Sequence, residues 1–174
     1  QEFGADSLRL YEMFMGPLDR EKVWNTDAVS GCKRFLNRIW DLVHSPKMTK
    51  DAPEEAPLRL IHKLIDGVTR DVERLHFNTA IAKMMEFLND FTRLPAYPKM
   101  ALDNLVLLLS PFAPHIAAEL WEVLEHQEEL SFMPWPEAEA QYLVEEEITY
   151  IVQVNGKLRA RLNLPKDQDK ETIQ

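Results

Sequence analysis

Two groups of cations stand out for their type and spacing. Lys33, Arg34 and Arg38 fall on the polar side of one predicted helix, where they would form an exposed basic stripe able to meet phosphates. Lys157, Arg159 and Arg161 alternate along a predicted strand. That spacing gathers three cations on one side of a hairpin, a face that can meet RNA phosphates without reading bases. The ordinary alternative for each group is a solvated face. Tyr150 and Gln153 are too isolated to make a base-stacking platform.

Other chemistries find less support. A di-metal bundle needs paired Glu-x-x-His elements on facing helices, and Glu73-Arg74-Leu75-His76 supplies one such element at a helix end. No Cys/His cluster of zinc type accompanies it, so no metal site is expected. Cys32 sits on an apolar helical stripe and reads as a small core residue. His115, near a helix start, reads as a polar residue closing a corner rather than as a general base. No serine stands in a nucleophile-elbow context. The 5 glycines are scattered and build no phosphate loop. The net charge of −9 argues against nonspecific nucleic-acid binding and leaves only local basic faces for it.

The elements that must position these residues are mostly helices. Gly4 to Met15 reads as a short helix with Asp6 as a fair N-cap, stopped by Gly16-Pro17. From Asn25 to His44 the residues Ala28, Val29, Cys32, Phe35, Leu36, Ile39, Trp40 and Val43 keep helical spacing. Leu58 to Leu75 makes a second long helix, with Leu75 inward, and Asn78 caps a third. Lys99 to Leu109 and Pro114 to Glu125 meet at Ser110-Pro111-Phe112-Ala113-Pro114, a rigid corner. Ser110 is expected to leave the α region because proline follows it, and Pro114 suits a first helical turn. Short connections between amphipathic helices predict an antiparallel bundle. Gln127 to Glu146 reads as irregular chain packed across it. After that, Ile148, Tyr150 and Val152 alternate with Thr149, Ile151 and Gln153, and Asn155-Gly156 predicts a hairpin turn.

The fold class expected is therefore mainly α: an antiparallel helix bundle followed by a truncated β-hairpin or α+β element. The expected divisions are a junction helix and linker over 1–24, a bundle over 25–126, an irregular linker over 127–146 and the start of a further domain over 147–174. The chain of 174 residues is long enough for one real core. Its apolar runs fall well short of the ~18 residues of a membrane span. One cysteine excludes an internal disulfide and suits a reducing, cytoplasmic setting. Asp167 to Gln174 reads as the opening of a helix with nothing after it, so a piece of a longer protein is expected.

Several strings resemble one family. Ser110 to Trp121 resembles the corner in the helix bundle of class I aminoacyl-tRNA synthetases. Gly4-Ala5-Asp6-Ser7-Leu8-Arg9-Leu10-Tyr11-Glu12-Met13-Phe14-Met15-Gly16-Pro17 resembles the segment after the catalytic Lys-Met-Ser-Lys-Ser loop of bacterial leucyl-tRNA synthetases. Arg34-Phe35-Leu36-Asn37-Arg38-Ile39-Trp40, Phe77-Asn78-Thr79-Ala80-Ile81-Ala82 and Val152-Gln153-Val154-Asn155-Gly156-Lys157-Leu158-Arg159 are similar to later segments of the same family. The corner is shared with the valine and isoleucine enzymes; Met13-Phe14-Met15-Gly16-Pro17 and the Val-Gln-Val-Asn-Gly-Lys string favour leucine.

The resemblance implies an anticodon-binding-type bundle that supports tRNA without reading the anticodon. It implies Lys33, Arg34 and Arg38 near the tRNA backbone, Lys157, Arg159 and Arg161 beyond it, and Asp6 and Arg9 at the junction with the catalytic domain of the same chain. The catalytic motifs are outside this sequence. The implied parent is a monomer using ATP and Mg²⁺, while this portion would need no cofactor and be inactive alone. The competing readings are a helical scaffold that binds proteins and the bundle of a valine or isoleucine enzyme.

Overall fold

Helices form where apolar residues recur about every 3.6 positions. The computed structural model describes residues 3–17, 21, 23–144, 147–154 and 157–165. Helix α1 spans Ala5–Phe14, α2 Thr26–Val43, α3 Glu55–Glu73, α4 Phe77–Phe91, α5 Lys99–Leu109, α6 Pro114–Val123 and the short α7 Ala140–Leu143. A two-residue parallel bridge joins β1 (Met48–Thr49) to β2 (Tyr97–Pro98). Strands β3 (Glu147–Val154) and β4 (Lys157–Pro165) form an antiparallel pair. The chain divides into two compact units, Gln1–Tyr142 and Leu143–Gln174. Among the described residues, no helix is long and apolar enough to cross a membrane.

The core of the first unit joins all six longer helices. Leu10 of α1, Ile39 of α2, Ile61 of α3, Ile81 and Leu88 of α4, Leu105 of α5 and Leu120 of α6 are fully buried in it. Helix α1 therefore shares the bundle's core, where the sequence suggested a junction element ahead of it. The connection Arg74 to His76 is short enough to fold α3 and α4 into an antiparallel hairpin.

Several local expectations change. Gly4, not Asp6, precedes α1, with φ 79° and no side-chain cap. Helix α3 begins at Glu55, ahead of the expected start at Leu58, and Pro57 falls in its first turn, where a missing N–H costs little. Leu75 is exposed, not inward: it takes φ 58° just past the end of α3. There Leu75 N–H donates to Val72 O (3.0 Å) and His76 N–H to Asp71 O (2.8 Å), a left-handed stop. Helix α4 opens at Phe77 after His76, without the Asn78 cap. Ser110 keeps right-handed helical angles (φ −53°, ψ −39°) despite the proline after it. The chain turns one step later, where Phe112 and Ala113 N–H groups both donate to Leu109 O at 2.9 and 3.0 Å. Pro114 opens α6 as expected.

The segment after α6 closes over α3. Trp135 Nε1–H donates to Thr69 Oγ1 (2.8 Å), Glu139 N–H donates to the buried His62 Nδ1 (3.1 Å), and Tyr142 stacks on His62 at 4.7 Å. Its irregular course is broken by a 3₁₀ turn at Leu130–Phe132 and by α7.

Candidate nucleic-acid interface

Helix α2 is the element that presents cations. Asn25 starts it, its Oδ1 accepting the N–H groups of Asp27 (3.0 Å) and Ala28 (3.3 Å), two donors that a helix start otherwise leaves unmet. Val29, Cys32, Leu36, Ile39 and Val43 bury the inner face. Trp40, expected on that face, lies at its edge, 37% exposed and stacked on His44 at 4.4 Å. Leu42 takes the buried place instead.

Arg34 and Arg38, one turn apart on the outer face, are both exposed. Arg38 Nη2–H donates to Asn89 Oδ1 of α4 at 2.9 Å. That contact orients the guanidinium but leaves its charge uncompensated. Arg34 carries no ion pair among the described residues. Six other bundle cations are matched with carboxylates, Lys50 with Glu125, Arg59 with Glu55, Arg70 with Asp66, Lys83 with Asp71, Arg93 with Asp90 and Lys99 with Asp103, while Lys47 and Arg9 donate to the backbone oxygens of Leu94 and Pro111. In a chain of net charge −9, Arg34 and Arg38 thus form a positive spot held at fixed spacing on a rigid helix.

Lys33 is not part of that spot. One residue step turns a helix by about 100°, and Lys33 lies half-buried on the shoulder facing α1. Its Nζ stands 5.9 Å from the Phe3 ring centroid. It lines a cavity of ≈ 300 Å³ with Asn37, Ser7, Asp6 and His115.

Asp6 and Arg9 join α1 to the corner. Asp6 Oδ2 accepts Ile116 N–H (2.7 Å), and its Oδ1 lies 2.7 Å from His115 Nδ1. Arg9 Nε and Nη2 both donate to Pro111 O, at 3.3 and 3.0 Å. His115 therefore closes a corner, as its position suggested.

In the second unit, Lys157, Arg159 and Arg161 lie on β4, whose pairing with β3 shifts register between Val152 and Gln153. Lys157 stands opposite Val154 and Arg161 opposite Ile151, positions of opposite parity on β3. Ala160 faces Val152 and Leu158 faces Gln153, which leaves Arg159 as the extra residue at the shift. A shift of this kind places one extra residue on β4. The Asn155-Gly156 turn and the Asp167 to Gln174 segment lie outside the described residues.

Two titratable groups belong to the interior. Burial pushes the Cys32 thiol up to about 11, which keeps it from acting as a thiolate. Burial also pushes the Asp71 carboxyl up. Hydrogen bonds from Lys83 and Thr79, with the charges of Lys83 and His76, outweigh that and hold it below the usual carboxylate range. Nothing in the sequence pattern pointed to Asn89 as the partner of Arg38, or to Lys83 as the partner of Asp71. Both contacts join different helices, so side-chain spacing along one helix cannot reveal them.

An all-α bundle with an unmatched arginine pair on one helix, in an otherwise acidic chain, defines a helical module suited to a polyanion. The chain belongs to the anticodon-binding domain family of tRNA ligases, whose pattern matches residues 55–174. It is 57% identical over 173 residues to the leucine–tRNA ligase of Protochlamydia amoebophila, covering 99% of this chain and 20% of that protein. It is 46% identical to the leucine–tRNA ligase of Chlamydia pneumoniae, covering 99% of this chain and 21% of that protein. It thus spans about a fifth of the length of these relatives. The fold matches a solved ternary complex of Agrobacterium radiobacter K84 agnB2 LeuRS with tRNA and LeuAMS. That match has a TM-score of 0.80 and 31% identity, over 99% of this chain and 25% of the other.

Proposed function

We propose that this chain is the tRNA-holding portion of a leucine–tRNA ligase and that it works by backbone contact, not base reading. The observation that carries the reading is the Arg34–Arg38 pair, exposed and unmatched by carboxylates on an acidic protein. Guanidinium groups one turn apart suit neighbouring phosphates, and such contacts position RNA without specifying sequence. Lys33 adds charge at the shoulder. Lys157, Arg159 and Arg161 provide a second contact from the hairpin, and Asp6 and Arg9 stand at the junction with the catalytic domain of the same parent chain. The parent esterifies leucine to its tRNA with ATP and Mg²⁺, acting as a cytoplasmic monomer. In this reading the portion contributes no catalytic residue and needs no cofactor of its own, and among the described residues no group of His, Cys, Asp and Glu could hold a metal ion.

The leucine assignment is supported by relatives that carry that name across nearly all of this chain. ATP–pyrophosphate exchange by the complete protein with leucine, valine and isoleucine tests it; exchange with valine or isoleucine in preference to leucine refutes it. A filter-binding titration of the chain with tRNA across salt concentrations tests the RNA role. Affinity should be weak and fall with salt, and the log–log slope should lessen by about one for each arginine in Arg34→Glu and Arg38→Glu. Tight binding indifferent to salt, or variants that bind like the wild type, would refute it.

A further inference from the structure

Helix α1 grips three helix ends at once. Near its start, the buried Asp6 takes the N–H of Ile116 at the beginning of α6. One turn on, Arg9 donates twice to Pro111 O, just past the end of α5. Further along, the hydroxyl oxygen of the fully buried Tyr11 accepts the N–H of Asn25, the residue that caps α2, at 2.7 Å.

The charges match the ends they meet. Asp6 puts a carboxylate at the positive start of α6, where Ala113 offers no capping side chain. Arg9 puts a guanidinium at the negative end of α5, whose last turn has no basic residue. The polar anchors join partners 102 to 110 residues apart in sequence on one side, and 14 on the other. The α1 helix is thereby a strut between the α5–α6 corner and the first turn of α2, the helix that carries Arg34 and Arg38.

We propose that Asp6, Arg9 and Tyr11 are positioning residues for the RNA-binding face, setting where α2 holds Arg34 and Arg38 without touching RNA themselves. This rests on the tRNA-holding reading above. Asp6→Ala combined with Arg9→Ala frees both corner contacts, and Tyr11→Phe frees the contact to α2.

A double-mutant cycle on tRNA affinity of the chain separates this role from others. Each clip variant should weaken binding about fivefold, and that loss should vanish in the Arg34→Glu, Arg38→Glu background, because the clip acts through those arginines. Asp6→Asn, which keeps an acceptor for Ile116 N–H, should recover most of the affinity, and Tyr11→Phe runs the same cycle if the alanine variant does not fold. A merely structural role lowers the folded fraction equally in both backgrounds, so a loss that persists undiminished overturns the proposal. Clip variants that bind like the wild type while the arginine variants bind weakly overturn it and leave the tRNA reading standing. If the arginine variants also bind like the wild type, both fall.

Discussion

Lys83 and Arg34 are both cations on bundle helices, and the fold treats them in opposite ways. Lys83 reaches from α4 across α3: its ammonium pairs with Asp71 and donates to Gly67 O at 3.3 Å. Gly67 is what lets it pass, since a Cβ there would stand 2.9 Å from Lys83 Cδ. Arg34 reaches outward from α2 and meets no carboxylate among the described residues. One charge is consumed in joining two helices; the other stays available. In a domain with an excess of acids, many cations can be neutralised internally, and the proposed RNA face rests on the exposed arginines of α2 that are not.

The largest effect that would break this contrast is on stability. Lys83→Met leaves the buried Asp71 carboxylate without its main partner and should cost about 1–2 kcal/mol in a urea titration, the lower part of the range for a stranded acceptor because Lys83 itself is partly exposed. Its tRNA affinity should match the wild type. No loss of stability, or a loss of RNA binding, would erase the distinction between the two cations.

A smaller effect sharpens it by pH. Because the folded-state pKa of Asp71 is lowered, its contribution is present above the unfolded carboxyl value, about 3.9. It is lost as pH falls below that value toward the folded one. The wild-type melting temperature should therefore drop more steeply through this acid range than that of Asp71→Asn. Parallel curves would mean that the pair adds no pH-dependent stability.

The smallest expected effect concerns Arg34 itself. Arg34→Ala should change the free energy of unfolding by less than about 0.5 kcal/mol, as for surface positions without structural partners. A loss comparable to that of Lys83→Met would show Arg34 to be structural after all.

Much of the bundle was legible because burial of a helix face imposes its own period. The stripe from Val29 to Val43, the Pro114 start of α6 and the core role of Cys32 could be read from spacing alone. The left-handed stops were hidden, because Leu75 and Glu125 occupy positions where glycine would have announced the turn. At the candidate site, Arg34 and Arg38 were legible as an exposed pair. The separation of Lys33 from them was implicit in the angular step between neighbouring helical residues. The register shift between β3 and β4 was not legible, since it depends on the partner strand.

By itself, then, the amino-acid order determined which faces must be buried, where prolines bend the chain and which residues carry charge, because these follow from solvation and local backbone geometry. Only the tertiary structure decided what each charge is for. It set Asp6 at the start of α6, Arg9 at the end of α5 and Lys83 on Asp71, and left Arg34 unmatched. The physical reason is that pairing energy depends on distances between helices remote in sequence, which no local pattern encodes.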